Sequence, residues 1–336
     1  MISSDNSLQI QKLLSDINID LINFSIKPIC LGKNNRTYLV FTTGKKYLAK
    51  FYFSSPKDSR TRLSNEFSFL EYLKEIGIKN VPQPVIRSDL YNLGIYEFLE
   101  GRSFSSSDLN EDSILSAASF FSSINNNEFI GNARQLDFAS EAFLDLDKSI
   151  QQIDERIETL KASTKQQSQS MGVSKFLIDL QNVWGNLKLD LRLNRDFIMQ
   201  NNALCVSPSD FGFHNTLVKN GQLFFVDFEY AGRDDPAKLL ADFFIQPEIK
   251  VDIGYMQLFA DRALDFYDNK EIIFRRALKL FPMFQVKWCC IMMNEFLPQA
   301  AERRMFSNPE LGIEESKYQQ LQKAKSLLLE VELQCI

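Results

Sequence analysis

Three polar side chains near the middle of the chain have the types and spacing to do chemistry together. In "SPSDFGFHNTLV", residues 207 to 218, Asp210 is followed five positions later by Asn215, and "VDFEYAG" then brings Asp227. Each flanks a short apolar run, so strands can hold the connecting loops rigid. Carboxylate and amide oxygens are hard ligands that suit Mg²⁺ bound to phosphate oxygens. A further carboxylate that holds no metal can accept a hydroxyl proton and orient the hydroxyl. Phosphoryl transfer divides its labour in this way and also asks for a lysine on the phosphates.

Lys50 is the lysine to consider. It lies inside "YLAKFYF" with apolar neighbours on both sides, and burying an ammonium is costly without a counter-charge. The next helical pattern offers one. Glu66 stands three positions after Leu63 and four before Leu70, on the inward face of that helix. A buried Lys50–Glu66 pair follows; the other reading is a strand-edge lysine whose stem snorkels to water.

The elements that must position these groups fall into two regions. Residues 8–17 read as an amphipathic helix, followed by a strand leading into Cys30. "LGKNNRTYLVFTTGKKYLAKFYF" (31–53) reads as hairpin-forming strands. Residues 59–77 read as a helix stopped by Gly77. "VPQPVIR" and "LGIYEFLEG" are extended, and proline confines the first to an edge or loop. Beyond Gly101 the pattern turns helical, with helices expected near 110–124, 139–162 and 174–192 and a polar loop at 161–172. Strands return at 203–206, 216–219 and 223–228, and the last hundred residues are mostly helical. We therefore expect an N-lobe over 1–100, with a sheet and one helix bearing Glu66, and a larger helical C-lobe over 101–336.

Composition narrows the function classes. The chain has 336 residues and is 45% hydrophobic, enough for a sizeable core in two lobes. Charged residues make up 24% with a net charge of −5, so no basic excess points to nucleic acid. The N-terminus lacks a basic start and an apolar segment, and no run approaches the ~18 apolar residues of a membrane span. Five cysteines without a C-x-x-C pair read as free thiols of a cytoplasmic protein. The 29 phenylalanines read as core filling.

The D-x-x-x-x-N segment, followed shortly by Asp227-Phe228, resembles the catalytic core of the protein-kinase-like superfamily. "FFVDFEYAG" and "GRDDPAKLLADFF" are similar to segments of its small-molecule branch, the aminoglycoside phosphotransferase and choline kinase families. The resemblance runs from residue 31 to about 245. It implies an α+β, two-lobed protein-kinase-like fold: a small N-lobe with an antiparallel sheet and one helix, and a mainly helical C-lobe. It further implies ATP and Mg²⁺ as cofactors, with Asp210 as catalytic base, Asn215 and Asp227 on the metal, and Lys50, paired with Glu66, on the α- and β-phosphates. "IYEFLEG" (95–101) resembles the connector that holds adenine through backbone groups near Glu97 and Leu99.

Departures from the family pattern are specific. Pro208 stands where the family has a histidine. The phosphate-covering turn has one glycine, so Asn34 and Asn35 either contact phosphate or form a plain hairpin turn. Leu239 replaces a family aspartate, leaving Asp242 either to brace the loop or to sit exposed. His214 is a loop brace, a proton shuttle or a metal ligand. Glu229 is placed at the metal shell or the substrate mouth.

The expected partner is a small-molecule alcohol. In "FQVKWCCIMMNEFLPQAAERRMF" (284–306), Trp288 and Glu295 share a helix face, and Asn294 and Glu295 interrupt an apolar run. An aromatic ring with a carboxylate suits an ammonium group such as that of choline or an amino sugar, though Trp288 also reads as core. Arg303 and Arg304 would equally suit an anionic acceptor. The leading expectation is an ATP-dependent small-molecule kinase acting on a choline- or ethanolamine-like amine, an amino sugar or a sugar. A silent nucleotide-binding scaffold is the alternative. A protein kinase is disfavoured: G-x-G-x-x-G, H-R-D and A-P-E segments are absent, and seven residues between Asp227 and Asp235 cannot form an activation loop.

Overall fold

The computed structural model describes residues 4–29, 34–55, 60–126, 133, 135–164, 172–200, 204–307 and 313–334. Cys30, the glycine of the phosphate-covering turn and most of the polar loop after residue 164 lie outside them.

Five strands form one antiparallel sheet: β1 (Ser25–Ile29), β2 (Arg36–Phe41), β3 (Lys46–Phe51), β4 (Pro84–Ser88) and β5 (Leu93–Glu97), in the order β1-β2-β3-β5-β4. The proline-bearing β4 takes an edge, as expected. Strand periodicity explains the two faces of β3. Tyr47, Ala49 and Phe51 point to one side and pack with Tyr38, Val40, Leu93 and Ile95. Helix α1 (Ser4–Ser15) covers this side with Ile10, Leu13 and Leu14. Leu48 and Lys50 point to the other side, into the cleft.

Helix α2 (Arg62–Glu75) follows β3 in the chain, but its apolar side chains go to a different core. Phe67, Phe69, Leu70 and Leu73 join the large cluster of the helical lobe rather than the small one under the sheet. The helix thus fastens the N-lobe chain to the core of the helical lobe. It ends in a Schellman turn: Ile78 N donates to Leu73 O at 2.9 Å and Gly77 N to Lys74 O at 3.1 Å. Gly77 supplies the left-handed φ of +80° that this turn requires.

The C-lobe begins with β6 (Arg102–Ser103) and helix α3 (Glu111–Ile124), whose N-terminus is closed by reciprocal Asn110–Ser113 bonds. Helices α4 (Leu146–Thr164) and α5 (Val173–Leu193) follow, then the one-turn α6 (Arg195–Ile198). Helix α4 starts seven residues later than the periodicity predicts. The preceding segment is pinned to the chain around Arg233: Ala139 N donates to Arg233 O at 2.9 Å, and Ser140 N to Tyr230 O at 3.0 Å. A Cβ on Gly232 would lie 2.5 Å from the backbone at Asp137 and Ala139, so only glycine permits this approach.

Short strands then frame the loops of interest. β7 (Cys205–Ser207) pairs with β10 (Gly232–Asp234), while β8 (Thr216–Lys219) lies between β6 and β9 (Gln222–Phe225). β9 stops short of the predicted Phe228. Asp227 adopts a left-handed φ of +67°, and Phe228 N turns to Glu66 Oε1 at 3.3 Å instead of to a neighbouring strand. Below these loops the aromatic core is dense: Phe120 stacks on Phe225 at 4.3 Å, and Phe243 on Phe259 at 4.4 Å. Phenylalanine is core filling, as expected.

The remaining helices are α7 (Pro236–Ile245), α8 (Met256–Ala263), α9 (Lys270–Met292), α10 (Pro298–Ser307) and α11 (Ile313–Gln334). None of the described helices is long and apolar enough to cross a membrane. Asp235 caps α7 by accepting from Ala237 N at 2.7 Å. The fully buried Arg276 of α9 binds the Asp235 carboxylate and donates to Ile198 O at 2.6 Å. Across the cleft, Phe306 of α10 reaches the sheet. Its ring meets Phe53 edge-on at 5.6 Å and the Arg36 guanidinium at 4.3 Å, and its carbonyl accepts from Arg36 Nε at 2.5 Å.

Two outcomes follow from these contacts. Arg276→Ala strands the buried Asp235 carboxylate, and urea denaturation should show a loss of about 3–5 kcal/mol; a loss below about 1 kcal/mol would mean that the pair is not holding α7. For the strap across the cleft, a double-mutant cycle of Arg36→Ala and Phe306→Ala should return a coupling of about 0.5–1 kcal/mol, and strictly additive effects would disprove the contact.

Candidate active site

One cavity of about 790 Å³ lies between the lobes and is lined by Lys50, Glu66, Asp210, Asn215 and Asp227 together. Glu97 and Leu99 of the connector line it as well, alongside the apolar Ile29, Leu48, Leu217 and Val226. The connector backbone is held in place: Glu97 N donates to Gln83 O at 2.9 Å and Phe98 N to Lys46 O at 3.1 Å. The Glu97 side chain is exposed and meets Lys45 at 3.5 Å.

Lys50 sits at the centre. Its Nζ donates to Glu66 Oε2 at 2.7 Å and to Asp227 Oδ1 at 2.6 Å, and Glu229 Oε2 lies 3.9 Å away. The sequence reading of an inward Lys–Glu pair is what the structure contains, and the strand-edge alternative is not. Burial works to lower the lysine's pKa, but Asp227, Glu66 and Glu229 outweigh it and hold the ammonium well above its usual range. Glu66 is fixed from two further sides, by the Tyr52 hydroxyl at 2.6 Å and by Phe228 N. Tyr52 in turn shares a 2.6 Å hydrogen bond with the Tyr96 hydroxyl.

Asp227 feels the opposite balance. Burial raises its pKa, and the neighbouring Glu229 and Glu66 charges add to that against the pull of Lys50, so the carboxyl is pushed up to about 7. Its side chain keeps about a third of its surface open to the cavity. This pocket carries more negative charge than its own cations balance, a setting that suits a divalent ion. Asn215 lies beside it: Val226 N donates to Asn215 O at 3.0 Å, and the Asn215 amide donates to Asp210 O at 3.0 Å. With the amide nitrogen used in this way, the amide oxygen is the atom that could hold an ion.

Asp210 follows Ser209, which has a left-handed φ of +66°. Burial would raise the Asp210 pKa, but His214 and the Asn215 amide hold it below the usual 3.8. The His214 Nε2 stands 3.3 Å from Asp210 Oδ1, an ionic approach without hydrogen-bond alignment. Where the family has a histidine before the aspartate, Pro208 is buried and the strand is braced otherwise. Asn125 is buried and bonds both ways with Val206, donating to its O at 2.9 Å and accepting from its N at 2.7 Å.

Glu229, expected at the metal shell or the substrate mouth, is not among the residues that line the cavity. It is 2% exposed and binds the turn that leads into β2, accepting from Asn35 Nδ2 at 2.6 Å and Asn34 Nδ2 at 3.2 Å. The asparagine amides thus tie the two lobes together, so the turn is more than a plain hairpin, and Asn34 also lines the cavity. Arg62, unremarked in the sequence, backs this tie: it donates to Phe53 O at 3.1 Å and lies 3.9 Å from Glu229.

Beyond Asp210 the cavity runs to the C-terminal helices. Asp242 is buried there, held by Lys238 at 2.9 Å and by Trp288 Nε1 at 3.0 Å. Lys238 also binds Asp234 at 2.7 Å. The spacing carried this signal: Lys238 lies four residues from each aspartate, the reach of helical ion pairs. Trp288 and Glu295 both line the cavity, but they do not share a helix face, because α9 ends at Met292 and Glu295 occupies the following turn. The Glu295 carboxylate is also already paired within the protein. Arg304 binds it, with Arg304 Nε 3.2 Å from Oε2.

A model of the phosphotransferase enzyme family matches residues 25–266. No curated protein matches the chain by sequence. Among solved structures it is similar to the choline kinase LicA from Streptococcus pneumoniae, with a TM-score of 0.61, 17% identity, and coverage of 97% of this chain and 100% of that one. It is similar also to a Plasmodium vivax ethanolamine kinase, with a TM-score of 0.59, 14% identity and coverage of 93% and 82%. A spectinomycin phosphotransferase in complex with ADP and spectinomycin superposes with a TM-score of 0.61 at 13% identity, covering 97% and 98%. These likenesses share the protein-kinase-like fold. With the family model spanning more than half of the sequence, the chain belongs to the phosphotransferase enzyme family, as a small-molecule kinase.

Proposed function

We propose that the protein transfers the γ-phosphoryl group of Mg-ATP to a hydroxyl of a small molecule in the cytoplasm. The observation that carries this reading is the convergence of Lys50, Asp210, Asn215 and Asp227 on one cavity, with Lys50 fixed by Glu66. The ADP held by the spectinomycin phosphotransferase supports a nucleotide here. The apolar Ile29, Leu48, Leu217 and Val226 beside the connector suit a base, and the phosphates would then extend past Lys50 toward Asp210.

Each residue has a distinct task in this reading. Lys50 offsets phosphate charge and is kept in place by Glu66. Asn215 and Asp227 would hold Mg²⁺, which when bound neutralises charge on the phosphate oxygens. Asp210 orients the acceptor hydroxyl and takes its proton. The hydroxyl oxygen forms a bond to the γ-phosphorus, the bond to the β–γ bridging oxygen breaks, and ADP leaves with that electron pair. Asp210 is suited to the task because its carboxyl, held below the usual range, is ionised at neutral pH. The tie of Glu229 to Asn34 and Asn35 holds the covering turn over the phosphates. A silent scaffold has nothing specific in its favour, since every charged position the reaction asks for is filled.

The test is Asp210→Asn. Turnover should fall by about 10²–10⁴-fold, the usual worth of a positioned base, while Mg-ATP affinity measured by calorimetry stays within a few-fold. Undiminished turnover would remove Asp210 from the reaction.

A further inference from the structure

The phosphoryl acceptor can be narrowed by charge bookkeeping at the far end of the cavity; the inference rests on the kinase reading above. The charged side chains of this wall come already paired. Glu141 binds Lys287 at 3.1 Å, Asp242 binds Lys238 at 2.9 Å, and Glu295 binds Arg304. Glu248 and Arg303 complete the charged lining with one charge of each sign, and Glu248 meets Lys323 at 2.9 Å. Burial alone would raise the Glu141 pKa, but Lys287 and Arg156 hold its carboxyl down at about 2.

This wall disfavours a cationic acceptor. An ammonium group needs a carboxylate, and each of these carboxylates already carries a fixed cation. Binding an amine would place it among Lys238, Lys287 and Arg304 or require breaking a buried pair, and both are costly. An aromatic cage, the other means of holding an ammonium, takes several rings. Among the described residues at this end, the lining offers Trp288 with Ile291 and Met292 beside it. An anionic acceptor meets the reverse obstacle, since the cations of this wall are committed.

A neutral, polyhydroxylated molecule meets neither obstacle. Paired carboxylates keep lone pairs, and paired lysines and arginines keep N–H groups. Both can bond hydroxyls with charge assistance and no change in net charge. Asn294, Gln246 and Gln320 add neutral donors and acceptors to the same wall. The Trp288 ring is half-buried and fixed in orientation by its N–H bond to Asp242, so it offers a rigid apolar face for the C–H side of a sugar ring. We infer that the acceptor is a neutral sugar, and that the Glu295–Arg304 pair is a specificity determinant that excludes its amino counterparts.

The experiment measures ADP release with Mg-ATP on matched acceptors. Glucose, galactose, mannose and their N-acetylated 2-amino forms would run beside glucosamine, galactosamine, choline and ethanolamine. At least one neutral sugar should exceed its amino counterpart in kcat/KM by about tenfold or more, the usual worth of one mismatched polar contact. Arg304→Gln frees Glu295 and should lower KM for the amino sugar but not for the neutral one. Its fold is monitored by the thermal shift that Mg-ATP gives. Turnover of amines in preference to neutral sugars, or silence on every neutral sugar, would overturn the inference and leave the kinase reading standing. Failure of Mg-ATP to stabilise the wild-type protein would instead remove the kinase reading itself.

Discussion

The structure depends on one buried ammonium group. Lys50 comes from a strand of the small sheet, Glu66 from the helix that packs into the large core, and Asp227 from the loop of the helical lobe. Three elements from distant parts of the sequence meet on a single Nζ. A lysine that is 5% exposed is tolerable only with such partners, so its burial and the closeness of the lobes are the same fact. Pairs of this kind contribute little net stability, because desolvation offsets most of the attraction, but they are demanding in geometry. The fold is thereby specified around the cleft.

The negative charge around Lys50 exceeds what the lysine balances, and the structure spreads the excess in two directions. Glu229 turns away from the cavity and is satisfied by Asn34, Asn35 and the nearby Arg62. Asp227 keeps its open side toward the cavity, where burial, joined by the nearby Glu229 and Glu66 charges, raises its pKa. The same carboxylate cluster therefore does mechanical work on one side, by fastening the covering turn, and leaves an electrostatic demand on the other. Phe306 adds a second fastening, joining the helix that walls the far end of the cavity to the strand that follows the covering turn. Both ends of the cavity thus lie against pieces of the N-lobe.

At the far end the logic is different. Charges there are not left over but matched, pair by pair, some within one helix as for Lys238 and Asp242 and some between remote segments as for Glu141 and Lys287. A wall of matched charges binds through directed hydrogen bonds rather than through net attraction, which gives selectivity at modest cost in desolvation. The cavity is thus unbalanced in charge around Lys50 and balanced at its far end.

The sequence by itself determined the local patterns and the reaction class. Strand alternation placed Lys50 opposite Tyr47, Ala49 and Phe51, helical spacing placed Glu66 inward, and Gly77 marked the end of its helix, because each of these is a rule of near neighbours. The spacing of Asp210, Asn215 and Asp227 was legible for the same reason. Tertiary structure alone decided which groups remained free for a ligand. Nothing local to Glu229 says that it meets Asn34 and Asn35, and nothing local to Glu295 says that Arg304 takes its charge across a helix boundary. The late start of α4 was equally hidden, since its cause is a close backbone approach at Gly232 from almost a hundred residues further on. Hydrogen bonds and ion pairs are satisfied by whichever partner folding brings near. Periodicity therefore fixes where a side chain points, and only the packed chain fixes what it meets.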